Sequence, residues 1–314
     1  RHYERLGYLL YGVGIIFLVL VFILGQDIRG SSRWIAIGSF GFQPSEFMKL
    51  FLIIALAKYL HDDPRSYLRG DRAAFAVAVG RSYLTQILPS ESVHLAWSAW
   101  AIHWLSRMPA DIPDHVQASY STDPQVRAAC ARQAAHDWHE FIAFRGRELS
   151  PGGRLVVMTM GLHDDGRLGM APLFDALIHA LSDLQAQRLI TADEFRRMHV
   201  PIVGRSEADF RSPFAPSGRF ERLQITHLMV TDEPDRFWQQ YQTDHDATAF
   251  AQSWVSFTRA AVFDSLLEAL DPADPVRRRQ LADALEAALI ELLVAAPEPM
   301  SIPVAHIVVQ KQTR

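Results

Sequence analysis

The chain has 314 residues, 49% of them apolar and 21% charged, with a formal net charge of -4. That mixture excludes an intrinsically disordered or low-complexity polymer, and the mildly negative balance gives no general electrostatic reason to bind nucleic acid. A single cysteine, Cys130, excludes an internal disulfide and any cysteine-rich zinc or iron–sulfur site. Lys stands only at 49, 58 and 311 and Asn nowhere, a skew that reads as coding composition rather than chemistry. The mean hydropathy of +0.01 is an average over two unlike regions.

The first region is membrane-like. No charged residue falls between Tyr8 and Leu24, a run that spans about 25 Å as a helix, near the short limit for a bilayer crossing. No small-x-small cleavage site follows it, which argues against a signal peptide. A second apolar run, Phe47 to Leu60, includes Lys49 and Lys58 and fits either a second membrane helix or a buried soluble one. Pro44 and Glu46 suit its first turn, where a missing N–H costs nothing and a negative charge meets the helix dipole. Arg1 and Arg5 precede the first run, Lys58, Arg65, Arg69 and Arg72 end or follow the second, and Arg29 and Arg33 lie between. The positive-inside rule then places both flanks in the cytoplasm, giving a membrane anchor with a cytoplasmic C-terminal domain.

Beyond Asp62 the character changes. Residues 61–72, HDDPRSYLRGDR, read as a junction. A short strand is expected over 92–97, a helix over 124–149, and a strand over 155–160 after a turn at 150–153. Helices are expected over 170–189 and 191–199, the latter opened by a Thr191-to-Glu194 capping box. A strand at 223–230, helices at 247–270 and 274–295, and a last strand at 302–310 complete the pattern. Strands separated by helices predict an α/β fold on a mainly parallel sheet. His136 with His139, His163 with Asp165, and Asp244 with Asp246 fit solvated helix faces and loops better than metal sites, and no P-loop or G-x-S-x-G string occurs.

Two strings carry family resemblances. GSSRWIAIGSFGFQPSEFMKLFLIIALAKYL, residues 30–60, resembles the FtsW/RodA/SpoVE (SEDS) peptidoglycan polymerases. The resemblance covers residues 1–65 and maps the family motif onto Arg33, Trp34, Glu46 and Lys49. Glu46 and Lys49, three apart on a helix, could neutralise each other inside a bundle or simply fix packing. The family's later extracellular loop with its polymerising aspartate has no counterpart here.

The second string is LPSESVHLAWSAWAIHWLSRMP, residues 88–109, together with Ser82-Tyr83 upstream and the LSPGGR run of 149–154 downstream. It resembles the SABATH carboxyl methyltransferases, which use S-adenosylmethionine to methylate small acids, and the likeness spans residues 82–314. The resemblance implies a class I, Rossmann-like methyltransferase sheet with a helical cap. It places Trp100, His103 and Trp104 in the acceptor pocket and Ser82 and Tyr83 beside the cofactor. His103 and the Trp104 indole N–H would hold a carboxylate. Trp100 stands where the family has Tyr. By spacing alone, Trp97, Trp100 and Trp104 also fit a plain aromatic core. No proton-transfer residue is expected, because a carboxylic acid is already ionised at pH 7 and positioning is the main lever.

The acidic glycine-rich turn of class I methyltransferases occurs nowhere in the chain. The sequence therefore predicts three parts: a SEDS-like transmembrane fragment (1–65), a junction (66–81), and a methyltransferase fragment lacking its cofactor-binding half (82–314). The expected activity is S-adenosylmethionine-dependent carboxyl O-methylation of a small carboxylic acid, with weak or absent cofactor binding. The alternatives are a membrane cell-wall synthesis fragment with a passenger domain, and a nonfunctional fusion.

Overall fold

In a computed structural model, the chain is described in full over residues 79–163, 166–215 and 217–313, and as backbone over three short strands further upstream. It divides into two compact units, Arg1–Gly80 and Arg81–Arg314. In the first unit, β1 (Gln26–Ile28), β2 (Ser31–Ile37) and β3 (Phe40–Phe42) form an antiparallel sheet in the order β1-β2-β3. The expected apolar spans at 8–24 and 47–60 lie outside the described residues. Among the described residues no helix is long and apolar enough to cross a membrane.

The second unit is built on a four-stranded sheet. Its strands are β4 (Val93–Ala99), β5 (Leu149–Met160), β6 (Leu223–Asp232) and β7 (Pro303–Lys311), in the order β4-β5-β7-β6. β4 and β5 are parallel, whereas β7 runs antiparallel to both its neighbours. The sheet is therefore mixed, which corrects the expectation of a mainly parallel one. The physical reason lies at the C-terminus: β7 enters from the same end of the sheet at which β6 leaves it, so it must run back between β5 and β6.

The crossover from β4 to β5 is α1 (Pro124–Glu148). It starts where Asp123 accepts a hydrogen bond from the Gln125 N–H and Pro124 takes the first turn, the usual chemistry of a helix start. Val126, Cys130, Ala134, Trp138, Phe141 and Ile142 are its buried stripe. Trp138 stacks on Phe141 with centroids 5.9 Å apart, meets the Phe210 ring edge-on at 5.1 Å, and donates its indole N–H to the Phe210 carbonyl. This cluster seals one face of the sheet, with Leu155, Val157, Ala305, Ile307 and Val309 beneath it.

The expected turn at 150–153 is instead the start of β5, which runs unbroken from Leu149. Gly152 takes φ +80, and a Cβ on Gly153 would sit 2.8 Å from the Val93 carbonyl oxygen. Gly152 supplies the left-handed backbone, and Gly153 lets β5 approach β4 closely, where any side chain would push the strands apart.

The helical cap gathers at the carboxyl end of the sheet. Its helices are α2 (Ala171–Ala186), α3 (Ala192–Arg197), α5 (Arg236–Asp244), α6 (Ala247–Ala261), α7 (Phe263–Leu267) and α8 (Pro275–Ala295), whereas α4 (Glu207–Arg211) sends Phe210 into the α1 cluster on the sheet face. The helix expected over 247–270 breaks into α6 and α7 at Val262, which leaves helical geometry with φ -121. The capping box at Thr191 and Glu194 forms as expected. Leu177, Leu181, Val255, Leu266, Leu285 and Leu289 are all buried in one cluster between α2, α6, α7 and α8.

Candidate functional site

Among the described residues β4 is one of the two edge strands of its sheet. The chain turns sharply as it leaves β4: Trp100 has φ +52, and its N–H still bonds the Met158 carbonyl at 2.8 Å. This left-handed turn swings the next residues over the carboxyl end of β5. There the structure brings Trp100, His103 and Trp104 together: the Trp100 and His103 rings meet edge-on at 5.8 Å, and His103 and Trp104 lie 5.7 Å apart. Trp100 is 45% exposed and His103 only 5%. Trp97, offered by spacing as a core residue, is instead 73% exposed on β4.

His103 is held by Thr159 on β5, with Nδ1 and Oγ1 3.3 Å apart. Burial, reinforced by the nearby Arg205 cation, lowers its pKa to about 3. The imidazole is therefore neutral at physiological pH, with one N–H to donate.

The loop carrying these residues is tied down on both sides. The Val203 N–H bonds the His103 carbonyl and the Leu105 N–H bonds the Pro201 carbonyl, each at 2.8 Å. Ser106 donates its N–H and hydroxyl to the two oxygens of Asp137 on α1, at 2.8 and 2.7 Å. The buried Arg205 guanidinium donates to the Ile102 carbonyl at 2.7 Å. Gly204 makes that route possible, because a Cβ there would lie 2.2 Å from the Gly161 carbonyl oxygen. Thr159, Asp137 and Arg205 escaped sequence reading. All three are remote in sequence from the HWLS string, and only the register of β5 and the docking of α1 bring them to it.

The two residues expected beside the cofactor differ in environment. Arg145 and Glu148 form a buried ion pair at 2.7 Å near the end of α1, and both reach out to the 83–88 segment. Glu148 accepts the Ile87 and Leu88 N–H groups, while Arg145 donates to the Tyr83 and Thr85 carbonyls. Tyr83 is half-buried against Phe141 and donates its hydroxyl to the Ala101 carbonyl at 3.1 Å, under the Trp100 turn. Ser82 is exposed, its hydroxyl accepting from the Leu84 N–H. The pair is thus one exposed hydroxyl and one tyrosine hydroxyl already engaged by a main-chain carbonyl.

Of the other nominated residues, Arg33 and Trp34 lie on β2, whereas Glu46 and Lys49 fall outside the described residues. His139 packs on the Phe220 ring at 4.6 Å. Asp244 and Asp246 serve the start of α6, Asp246 as its cap. His163 bonds Ser301 at 2.5 Å, and Ser301 donates to Asp232 at 2.9 Å, tying together the ends of β5, β6 and β7. His163 and Ser301 border a cavity of about 560 Å³ that also touches Tyr120 and Arg167. A smaller cavity of about 300 Å³ lies beside β4, between Tyr83, Leu95, Trp97 and Phe141. Among the described residues no group of His, Cys, Asp or Glu has the geometry to hold a metal ion.

A mixed sheet with a helical cap at its carboxyl end, and an aromatic–imidazole cluster there, make an α/β fold. Comparison with known proteins makes the family explicit. The family described as SAM dependent carboxyl methyltransferase matches residues 54–270, and the chain belongs to it. A probable 7-methylxanthine methyltransferase 2 of Theobroma cacao is 29% identical over 156 residues, covering 46% of this chain and 42% of the relative. Indole-3-acetate O-methyltransferase 1 of Arabidopsis thaliana is 26% identical over 185 residues, covering 53% and 47%. The chain thus spans less than half the length of these relatives. A solved loganic acid methyltransferase with SAH shares the fold at a TM-score of 0.60 and 16% identity, covering 99% of this chain and 94% of its own. The family match opens at residue 54, inside the stretch that resembles the peptidoglycan polymerases, and these matches lend that resemblance no support.

Proposed function

We propose that this chain is the acceptor-binding body of an S-adenosylmethionine-dependent methyltransferase that acts on a small carboxylic acid. The observation that carries the reading is the Trp100–His103–Trp104 cluster, with His103 buried and neutral at the carboxyl end of the sheet. If the Thr159 hydroxyl donates to Nδ1, the imidazole proton resides on Nε2 and can be given to a carboxylate oxygen. The Trp104 indole N–H supplies a second donor, and the Trp100 and Trp104 ring faces hold the apolar part of the acid. An ionised acid needs no base, so these residues bind, orient and exclude water. The names of relatives acting on indole-3-acetate and on benzoic or salicylic acid support an acidic acceptor.

The division into residues 1–65, 66–81 and 82–314, with membrane attachment through the first, belongs to the same proposal. So does weak cofactor binding, since no acidic glycine-rich turn occurs in the sequence. Calorimetry with S-adenosylmethionine is expected to give no micromolar binding by the isolated chain, and a micromolar Kd would overturn that part. Methyl transfer is to be assayed at high cofactor concentration against indole-3-acetate, benzoate and 7-methylxanthine. Methylation of an acid that is lost in His103→Ala supports the reading. Methylation of 7-methylxanthine alone would overturn the acidic acceptor, and full activity in His103→Ala would overturn the pocket.

A further inference from the structure

Arg205 is an unusual buried cation. It is 1% exposed, yet among the described residues no carboxylate forms an ion pair with it. Its guanidinium is satisfied by carbonyls: Nη1 donates to the Ile102 oxygen at 2.7 Å, and Nε and Nη2 both donate to the Ala134 oxygen on α1, at 3.1 and 2.7 Å. Asp137 and Asp209 act on it only through space. Burying a guanidinium without a paired carboxylate is costly, and an apolar side chain could fill the same volume. What the cation adds is a rigid fork joining two carbonyls that could not otherwise bond each other.

Both carbonyls matter for the cluster above. Ile102 immediately precedes His103, and Ala134 lies one turn before Asp137, which grips Ser106. α1 therefore clamps the loop at 102 through Arg205 and at 106 through Asp137, leaving His103, Trp104 and Leu105 suspended between the clamps. The 201–203 segment that precedes Arg205 bonds His103 and Leu105 from the other side. One side chain thus joins α1, the acceptor loop and the 201–205 segment.

We propose that Arg205 is a positioning residue for the acceptor pocket, fixing His103 and Trp104 by tying the Ile102 carbonyl to α1. The proposal rests on the acceptor reading of those two residues, but its physical core can be tested without turnover. In the ¹⁵N-labelled full chain, the Arg205 Nε–H is expected to exchange slowly with solvent and its guanidinium to rotate slowly. Rapid exchange in the folded wild type would overturn the clamp. In Arg205→Lys, which keeps charge but loses the fork, the His103 and Trp104 side-chain resonances are expected to move while those of His136 stay in place. Where the wild type methylates an acid such as indole-3-acetate, the variant should raise the acceptor KM by about tenfold or more with the cofactor KM unchanged. A folded Arg205→Lys with unmoved His103 and Trp104 resonances and an unchanged acceptor KM would overturn the proposal. Should Arg205→Lys fail to fold, the wild-type exchange rate decides. Should the wild type methylate no acid, the functional reading fails and the resonances alone decide the role of Arg205.

Discussion

The two faces of the four-stranded sheet are unlike. On one, Leu155, Val157, Ile307 and Val309 are fully covered by α1, with Trp138 and Phe141 packed into them. On the other, Leu95 and Trp97 of β4 are 68% and 73% exposed, and Met229 of β6 is 44% exposed. The residues alternate along the same strands, so the difference does not come from strand propensity. Among the described residues it comes from what lies above: the β4-to-β5 crossover covers only one face, and the helical cap packs at the carboxyl end instead. Apolar side chains on the bare face and edge are a surface prone to association.

Acid should sharpen this contrast most, because the covered side and the cap have buried His103 and His199 and partly buried His115. His103, His115 and His199 all have pKa values lowered chiefly by burial. An imidazole that titrates near 6.5 in the unfolded chain and near 3 in the fold takes up its proton on unfolding throughout that interval. Stability should therefore be complete above pH 6.5 and fall steadily as pH is lowered toward 3. For His103 alone the loss is on the order of 5 kcal/mol. Urea midpoints measured from pH 7.5 to pH 4 check the slope, and a flat profile would mean that these rings are hydrated.

Trp138→Ala should come next, costing about 3–5 kcal/mol through the cavity left between α1 and the sheet. Equilibrium denaturation of the full chain reads that cost, and a loss under about 1 kcal/mol would show the covered face to be loosely packed. The smallest effect is expected on the bare face. Trp97→Lys should change stability by no more than about 0.5 kcal/mol while reducing self-association in light scattering. A large loss of stability there would mean that Trp97 is covered in solution, and the contrast between the faces would disappear.

Much of this arrangement was written locally. The burial stripe of α1, the Thr191 capping box and the short strands are read from spacing and turn chemistry, because they depend on neighbours within a few residues. The HWLS string pointed to His103 and Trp104, and the structure brings both together with Trp100. Reading failed where strand direction and contacts depend on distant partners. The antiparallel course of β7, the break at Val262, and the start of β5 inside the LSPGGR run are cases of that kind. α4 and α5 were too short and too polar on one side to stand out.

The sequence by itself determined which side chains stand together: an imidazole and two indoles just past the end of an apolar strand, with paired glycines in the next strand. Their chemistry is intrinsic to their side chains. Only the tertiary structure decided their state. His103 is neutral because the fold removes water from it and sets Arg205 nearby, and Trp97 is exposed because the crossover helix lies on the opposite face. Desolvation and long-range docking are properties of the packed chain, and no local pattern encodes them.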